Sequence, residues 1–164
     1  QYKEVFNALK KFEVWIIPGN VDSVDIIKET MSSNVNYVDG KVLEYKNLKI
    51  GFAGGGVPTP INARGEISEE SFSLKLNKLG HVDIICTHAP PFVSELITDV
   101  ITNKEEQGWS SLKDYILEKE PRFSIFGDVH QPQASRWRLG RTECMNVGYF
   151  RANSNYLELT SLLQ

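Results

Sequence analysis

The chain has 164 residues, 41% hydrophobic and 24% charged, with a net charge of −3. This is ordinary globular composition, enough for one domain with a sizeable core and too little for two. The acidic balance argues against a broad nucleic-acid surface, and the apolar runs are of strand length, too short for a membrane-spanning helix.

The first element expected is a helix over "YKEVFNALKKF", with Val5, Phe6, Leu9 and Phe12 on one face. "VWIIPG", residues 14–19, is a continuous apolar run stopped by Pro and Gly, the pattern of a buried parallel strand. A short helix follows in "DSVDIIKETMSS", capped by Asp22 or Ser23. The stretch "YVDGKVLEYKNLKIGFAGGG" alternates, and its dipeptides Asp39-Gly40 and Lys46-Asn47 read as turns between antiparallel strands. A Gly/Pro loop, "GGGVPTPINARGE", leads into a helix over 68–79 opened by a capping box at Ser68, with Phe72, Leu76 and Leu79 inward.

"VDIICTHAPP" is a second buried strand over 82–86, ended by His88 and two prolines. Residues 92–105 read as a mobile polar loop and residues 108–120 as a helix, with Trp109 in the core. "RFSIFGDVH" is a third buried strand ending in polar residues. "ASRWRLGRTECMNVG" is a hairpin turning at Leu139-Gly140, and "NYLELTSLL" a final strand. Cys86 and Cys144 sit in apolar runs, so buried reduced thiols are expected rather than a disulfide. Together with the absence of a signal-peptide pattern, this points to a cytoplasmic protein.

The fold class is therefore α/β, one compact domain over residues 1–164 in which helix-covered parallel strands are joined to antiparallel hairpins. Ligands of open α/β sheets bind at the carboxyl ends of strands. Three strand ends, "PGNVD", "THAPP" and "GDVHQP", deliver Asn20, His88, Asp128 and His130 to one edge. An amide oxygen, two imidazoles and a carboxylate make a mixed oxygen and nitrogen ligand set suited to Mn, Fe or Zn. Taken singly, Asn20 could cap a helix, and His88 and His130 could be satisfied loop residues. Their joint placement points to a metal or phosphate site.

The order GN-x-D, a strand ending in His, G-x-x-H and then N-x-G resembles the calcineurin-like metallophosphoesterase superfamily, its small bacterial and archaeal phosphodiesterases in particular. The resemblance runs along essentially the whole chain. It implies a mixed β-sandwich flanked by helices and two divalent metal ions bridged by a carboxylate and a hydroxide. Mn is the first choice of metal, with Fe, Mg or Zn as alternatives. It implies Asn20, His88 and Asp128 on one metal and His130 on the other, with Asn146 near the substrate. The substrate implied is a phosphoester small molecule or nucleotide, most of all a phosphodiester.

Three departures stand out. The family's D-x-H and G-D-x-x-D motifs would precede the helix with which this chain begins, so the domain is expected to be incomplete at its N-terminus. Exposed sheet edges would then favour a homo-oligomer. Val21 stands where many members carry a His that assists the leaving group. Asp128 stands where His is usual, an anionic ligand favouring harder ions. A non-catalytic interaction protein on the same scaffold, as in a retromer subunit with a degenerate site, is the alternative. Two readings of "GFAGGG" stay open: backbone N–H groups of Gly54 and Gly55 cradling a phosphate, or a tight structural turn. The basic and aromatic hairpin with Arg136, Trp137, Arg138 and Arg141 is ascribed to half-exposed alternation rather than to nucleic-acid binding.

Overall fold

The computed structural model describes residues 1–149, 152, 154 and 156–159. The chain runs α1 (Tyr2–Ala8), β1 (Val14–Ile16), α2 (Val24–Thr30), β2 (Val35–Tyr37), β3 (Val42–Tyr45), β4 (Leu48–Ala53), α3 (Glu69–Leu79) and β5 (Ile84–Thr87). It continues through α4 (Ser94–Ile97), β6 (Thr98–Asp99), β7 (Lys104–Glu105), α5 (Ser110–Lys119), β8 (Phe123–Phe126), β9 (Arg136–Leu139) and β10 (Thr142–Asn146). A six-stranded mixed sheet of order β3-β4-β5-β8-β10-β9 forms the centre. Its four inner strands pair in parallel, and β3 and β9 close the two edges antiparallel.

Alternation along the inner strands feeds two cores. Ile50, Phe52, Ile84, Phe123 and Met145 face one side, where Trp15 and Ile17 lie against them, so the parallel β1-β2 pair packs over that face. Ile85, Phe126 and Cys144 face the other, against Phe72, Leu76 and Leu79 of α3 and Leu112 and Ile116 of α5. A third cluster, Phe6, Ile27 and Val35, seats α1 and α2 on the outside of β1-β2. The result is two sheets face to face with helices outside both. Burying side chains of this kind is worth about 1.5–3 kcal/mol each.

Several elements differ from the sequence expectation. The helix α1 stops at Ala8, short of the expected Phe12; its inward residues are Tyr2 and Phe6, whose rings stack, while Val5 and, beyond the helix, Phe12 are exposed. Strand β1 is parallel as expected but only half-buried. Asp39-Gly40 does not close a hairpin, because β2 pairs with β1 and the dipeptide carries the chain between sheets. Lys46-Asn47 does close one, both residues having positive φ (48° and 66°), as a tight two-residue hairpin requires. Ser23 starts α2 without a side-chain cap, whereas Ser68 caps α3 by accepting from Ser71 N–H; with Ser71 at the third helical position, only this half of the expected capping box forms.

The stretch 92–105 is not a polar loop. It folds into α4 and the β6-β7 pair, buries Leu96 and Ile97 completely, and is tied to residues 131–134 by backbone hydrogen bonds. The final strand expected over 155–163 lies largely outside the described residues, and 156–158 form no strand. Cys86 and Cys144 are free, and burial pushes both thiols up to about 12. Among the described residues no helix is long and apolar enough to cross a membrane.

Candidate functional site

The carboxyl ends of β1, β5, β8 and β10 open into one cleft of about 630 Å³, lined by Asn20, Val21, His88, Glu106, Gly127, Asp128, His130, Gly148 and Tyr149. All four residues proposed from the sequence as ligands therefore line a single cavity.

His88 leaves β5 with its ring flat against Gly19. A Cβ on Gly19 would stand 2.7 Å from His88 Cε1, so only glycine lets the imidazole lie there. Its backbone carbonyl accepts from Gly127 N–H at 2.9 Å, coupling the ends of β5 and β8. Asp128 has φ 68°, a left-handed conformation that Asp tolerates better than most residues. That turn brings Asp128 Oδ1 to 3.2 Å from His88 Nε2. The two lack the alignment of a hydrogen bond, and Nε2 is a buried nitrogen without a partner. An unpartnered buried polar atom is costly and rare in a native fold.

Asn20 follows β1. Its carbonyl accepts from Gly65 N–H, and its Cβ rests where a Cβ on Gly56 would collide. Asp22, offered above as a cap, instead accepts from Gly19 N–H (2.7 Å) and the Tyr2 hydroxyl (2.6 Å), fixing the turn that presents Asn20. His130 is placed differently from His88: its ring stacks on Tyr149 with centroids 4.0 Å apart and planes within 6°.

The three residues proposed to contact substrate are otherwise engaged. Gly54 N–H donates to Asp39 Oδ1 (2.7 Å) and Gly55 N–H to Pro18 O (2.8 Å), and neither residue lines the cleft. These bonds favour the structural turn over a phosphate cradle. Asn146 donates from Nδ2 to the carbonyls of Gly127 and Val129 and accepts from Gly148 N–H at 2.6 Å. Its amide clamps the loop that carries Asp128 rather than facing the cleft.

Two groups escaped the sequence reading. Glu106, just after β7, lines the cleft; its carboxyl is raised above the ordinary value by partial burial, then by the carboxylates of Asp99 and Asp128, with His130 opposing. Lys75 donates to both Asp39 oxygens (2.9 Å each) and to Gly54 O (2.7 Å), locking the end of β4. The basic hairpin is partly neutralised, Arg136 facing Glu143 at 3.5 Å and Arg141 facing Glu120 at 3.6 Å.

As a donor set, His88 and Asp128 fit a divalent cation as an adjacent nitrogen and oxygen pair. Among the described residues no three His, Cys, Asp or Glu side chains converge on one point. The fit is thus to a pair, with Asn20 and His130 elsewhere in the lining.

No family model matches the chain. An uncharacterised protein of Methanocaldococcus jannaschii is 28% identical over 142 residues, which cover 82% of this chain and 63% of that protein. The chain thus spans less than two thirds of that relative's length. A solved crystal structure matches with a TM-score of 0.70 at 15% identity, over 92% of this chain and 63% of its own, a likeness of fold alone.

Proposed function

We propose that this chain carries part of a metal-dependent phosphoesterase centre, of the calcineurin-like kind its motifs resemble, acting on phosphodiesters. The observation that carries the reading is the unpartnered buried Nε2 of His88 beside Asp128 Oδ1 at 3.2 Å, at the mouth of the parallel strands. A carboxylate and an imidazole held this way, with no other partner for the imidazole nitrogen, suit a shared cation. Mn²⁺ or Mg²⁺ is favoured by the anionic oxygen donor.

The lining supports the same reading by what its charges are. Among the described lining residues there are two carboxylates and no lysine or arginine. A phosphate would meet repulsion there unless a cation stood between. When bound, that cation supplies charge against the non-bridging phosphate oxygens. His88 and Asp128 would hold it, Gly19 and Asn146 keep those two in place, and Asn20 and His130 line the rest of the cleft.

Val21, largely exposed at the mouth, has no proton to give a leaving group. General acid help is worth about 10²–10⁴-fold, so aryl diesters should be cleaved faster than alkyl ones by a factor of that order. Metal analysis of the full-length protein followed by a phosphodiester panel with Mn²⁺ tests the reading. Retained metal and aryl-diester turnover, both lost in His88→Ala, are expected. A protein that neither retains metal nor turns over any diester refutes it. A non-catalytic interaction module is the second reading, favoured by Val21 and by the His130 ring lying on Tyr149. Metal retention without turnover would select it.

A further inference from the structure

Charge decides what else a phosphoester held in this cleft can carry. Beside the His88–Asp128 pair, Glu106 supplies the only other carboxylate of the described lining. Its main chain is fixed, Glu106 N–H donating to Ile97 O at 2.8 Å, and Ile97 is itself fully buried. Its carboxylate accepts no hydrogen bond from any described residue. It is therefore an exposed acceptor on an anchored main chain in the lining of the cleft, unspent among the described residues.

Within the phosphoester reading, on which this rests, we propose that Glu106 is a specificity-determining residue. It selects substrates whose alcohol part presents a hydrogen-bond donor, an ammonium above all, and rejects those that place a second anion there. A carboxylate accepts and cannot donate. A hydroxyl or ammonium on the substrate satisfies it, while a carboxylate or second phosphate meets like charge in a cleft whose described lining holds no lysine or arginine to offset it. The substrate class is thus a monophosphate ester or diester with a hydroxylated or cationic alcohol, not a polyphosphate.

Three small probes separate the ideas without turnover: phosphoethanolamine, ethyl phosphate and phosphoglycolate, which share the phosphate and differ in carrying an ammonium, nothing or a carboxylate. Binding to the full-length protein in excess Mn²⁺ is measured by calorimetry for the native protein, Glu106→Gln and Glu106→Lys. Phosphoethanolamine should bind about tenfold more tightly than phosphoglycolate, the order of a partly exposed charge contact. Glu106→Gln should collapse that ratio toward one and Glu106→Lys should invert it, with ethyl phosphate bound at least as tightly as by the native protein. A flat ratio in the native protein, or a ratio that survives Glu106→Gln, overturns the role of Glu106 alone. Failure of ethyl phosphate to bind, with no diester turned over, overturns the phosphoester reading, and this substrate class with it.

Discussion

Two glycine-bearing loops leave the same edge of the central sheet, one after β4 and one after β8, with only β5 between them. In the first, residues 54–56, every backbone N–H is taken, by Asp39, Pro18 and Gly65. In the second, residues 127–130, Gly127 N–H donates to His88 O and the Asn146 amide holds the Gly127 and Val129 carbonyls, yet the side chains are not tied in the same way. Asp128 and His88 approach each other and leave a buried nitrogen without a partner. Glycine content does not separate these loops; the polar atoms left unspent do. The first loop is scaffold and the second carries the candidate chemistry.

The largest expected effect tests that contrast at its centre. His88→Ala should lower metal affinity by more than the about 10–100-fold typical of losing a residue that merely supports a ligand. Equilibrium dialysis against Mn²⁺ measures it, and an unchanged affinity would mean the unspent nitrogen binds nothing. Gly19→Ala sharpens the same point without touching a ligand. Its Cβ would press on the His88 ring, costing about 1–3 kcal/mol of overpacking and displacing the imidazole. Metal affinity should fall together with the urea midpoint, and a loss confined to stability would separate ring position from binding.

On the scaffold loop the outcome should reverse. Lys75→Met leaves Asp39 without its cationic partner at a partly buried site, between the about 0–1 kcal/mol of exposed pairs and the 3–5 kcal/mol of buried ones. About 2 kcal/mol of stability should be lost in urea titration, with Mn²⁺ affinity retained in the folded fraction. The smallest effect concerns the base of that loop. The Thr59 hydroxyl and N–H, donating to Glu66 at 2.5 and 3.0 Å, hold its carboxyl below the ordinary 4.5. A depressed carboxyl contributes stability above its unfolded value and loses it as pH falls through the folded one. Acid titration of Glu66→Gln should therefore show a shallower loss of stability below about pH 4.5 than the native protein.

How much of this was legible in the sequence follows from the range of each interaction. The strand ends carrying Asn20, His88, Asp128 and His130 could be read because apolar runs stopped by Gly and Pro are local signals, and parallel strands bring their carboxyl ends together. The roles of Gly54, Gly55 and Asn146 could not. Whether an N–H or an amide is free depends on Asp39, Pro18 and Gly127, which meet them only through tertiary packing. Glu106 was hidden behind the misreading of 92–105. Elements of two to four residues show no periodicity, and the polar Asp99 there is a turn acceptor for Ile101 and Thr102 N–H rather than a mark of exposure.

The antiparallel strands at the two margins of the central sheet also set a timetable. β3-β4 and β9-β10 are joined by tight turns and can zip up by themselves on the microsecond scale of hairpins. The inner pairings, Ile50 with Ile84 and Ile84 with Phe123, must wait for long excursions through α3 and α5 to close. His88 and Asp128 sit on the strands those late pairings unite, so they meet only when the last seam is sewn. A cation taken up by that pair would stabilise the finished molecule and none of its precursors, slowing unfolding while leaving the early steps of folding at their own pace.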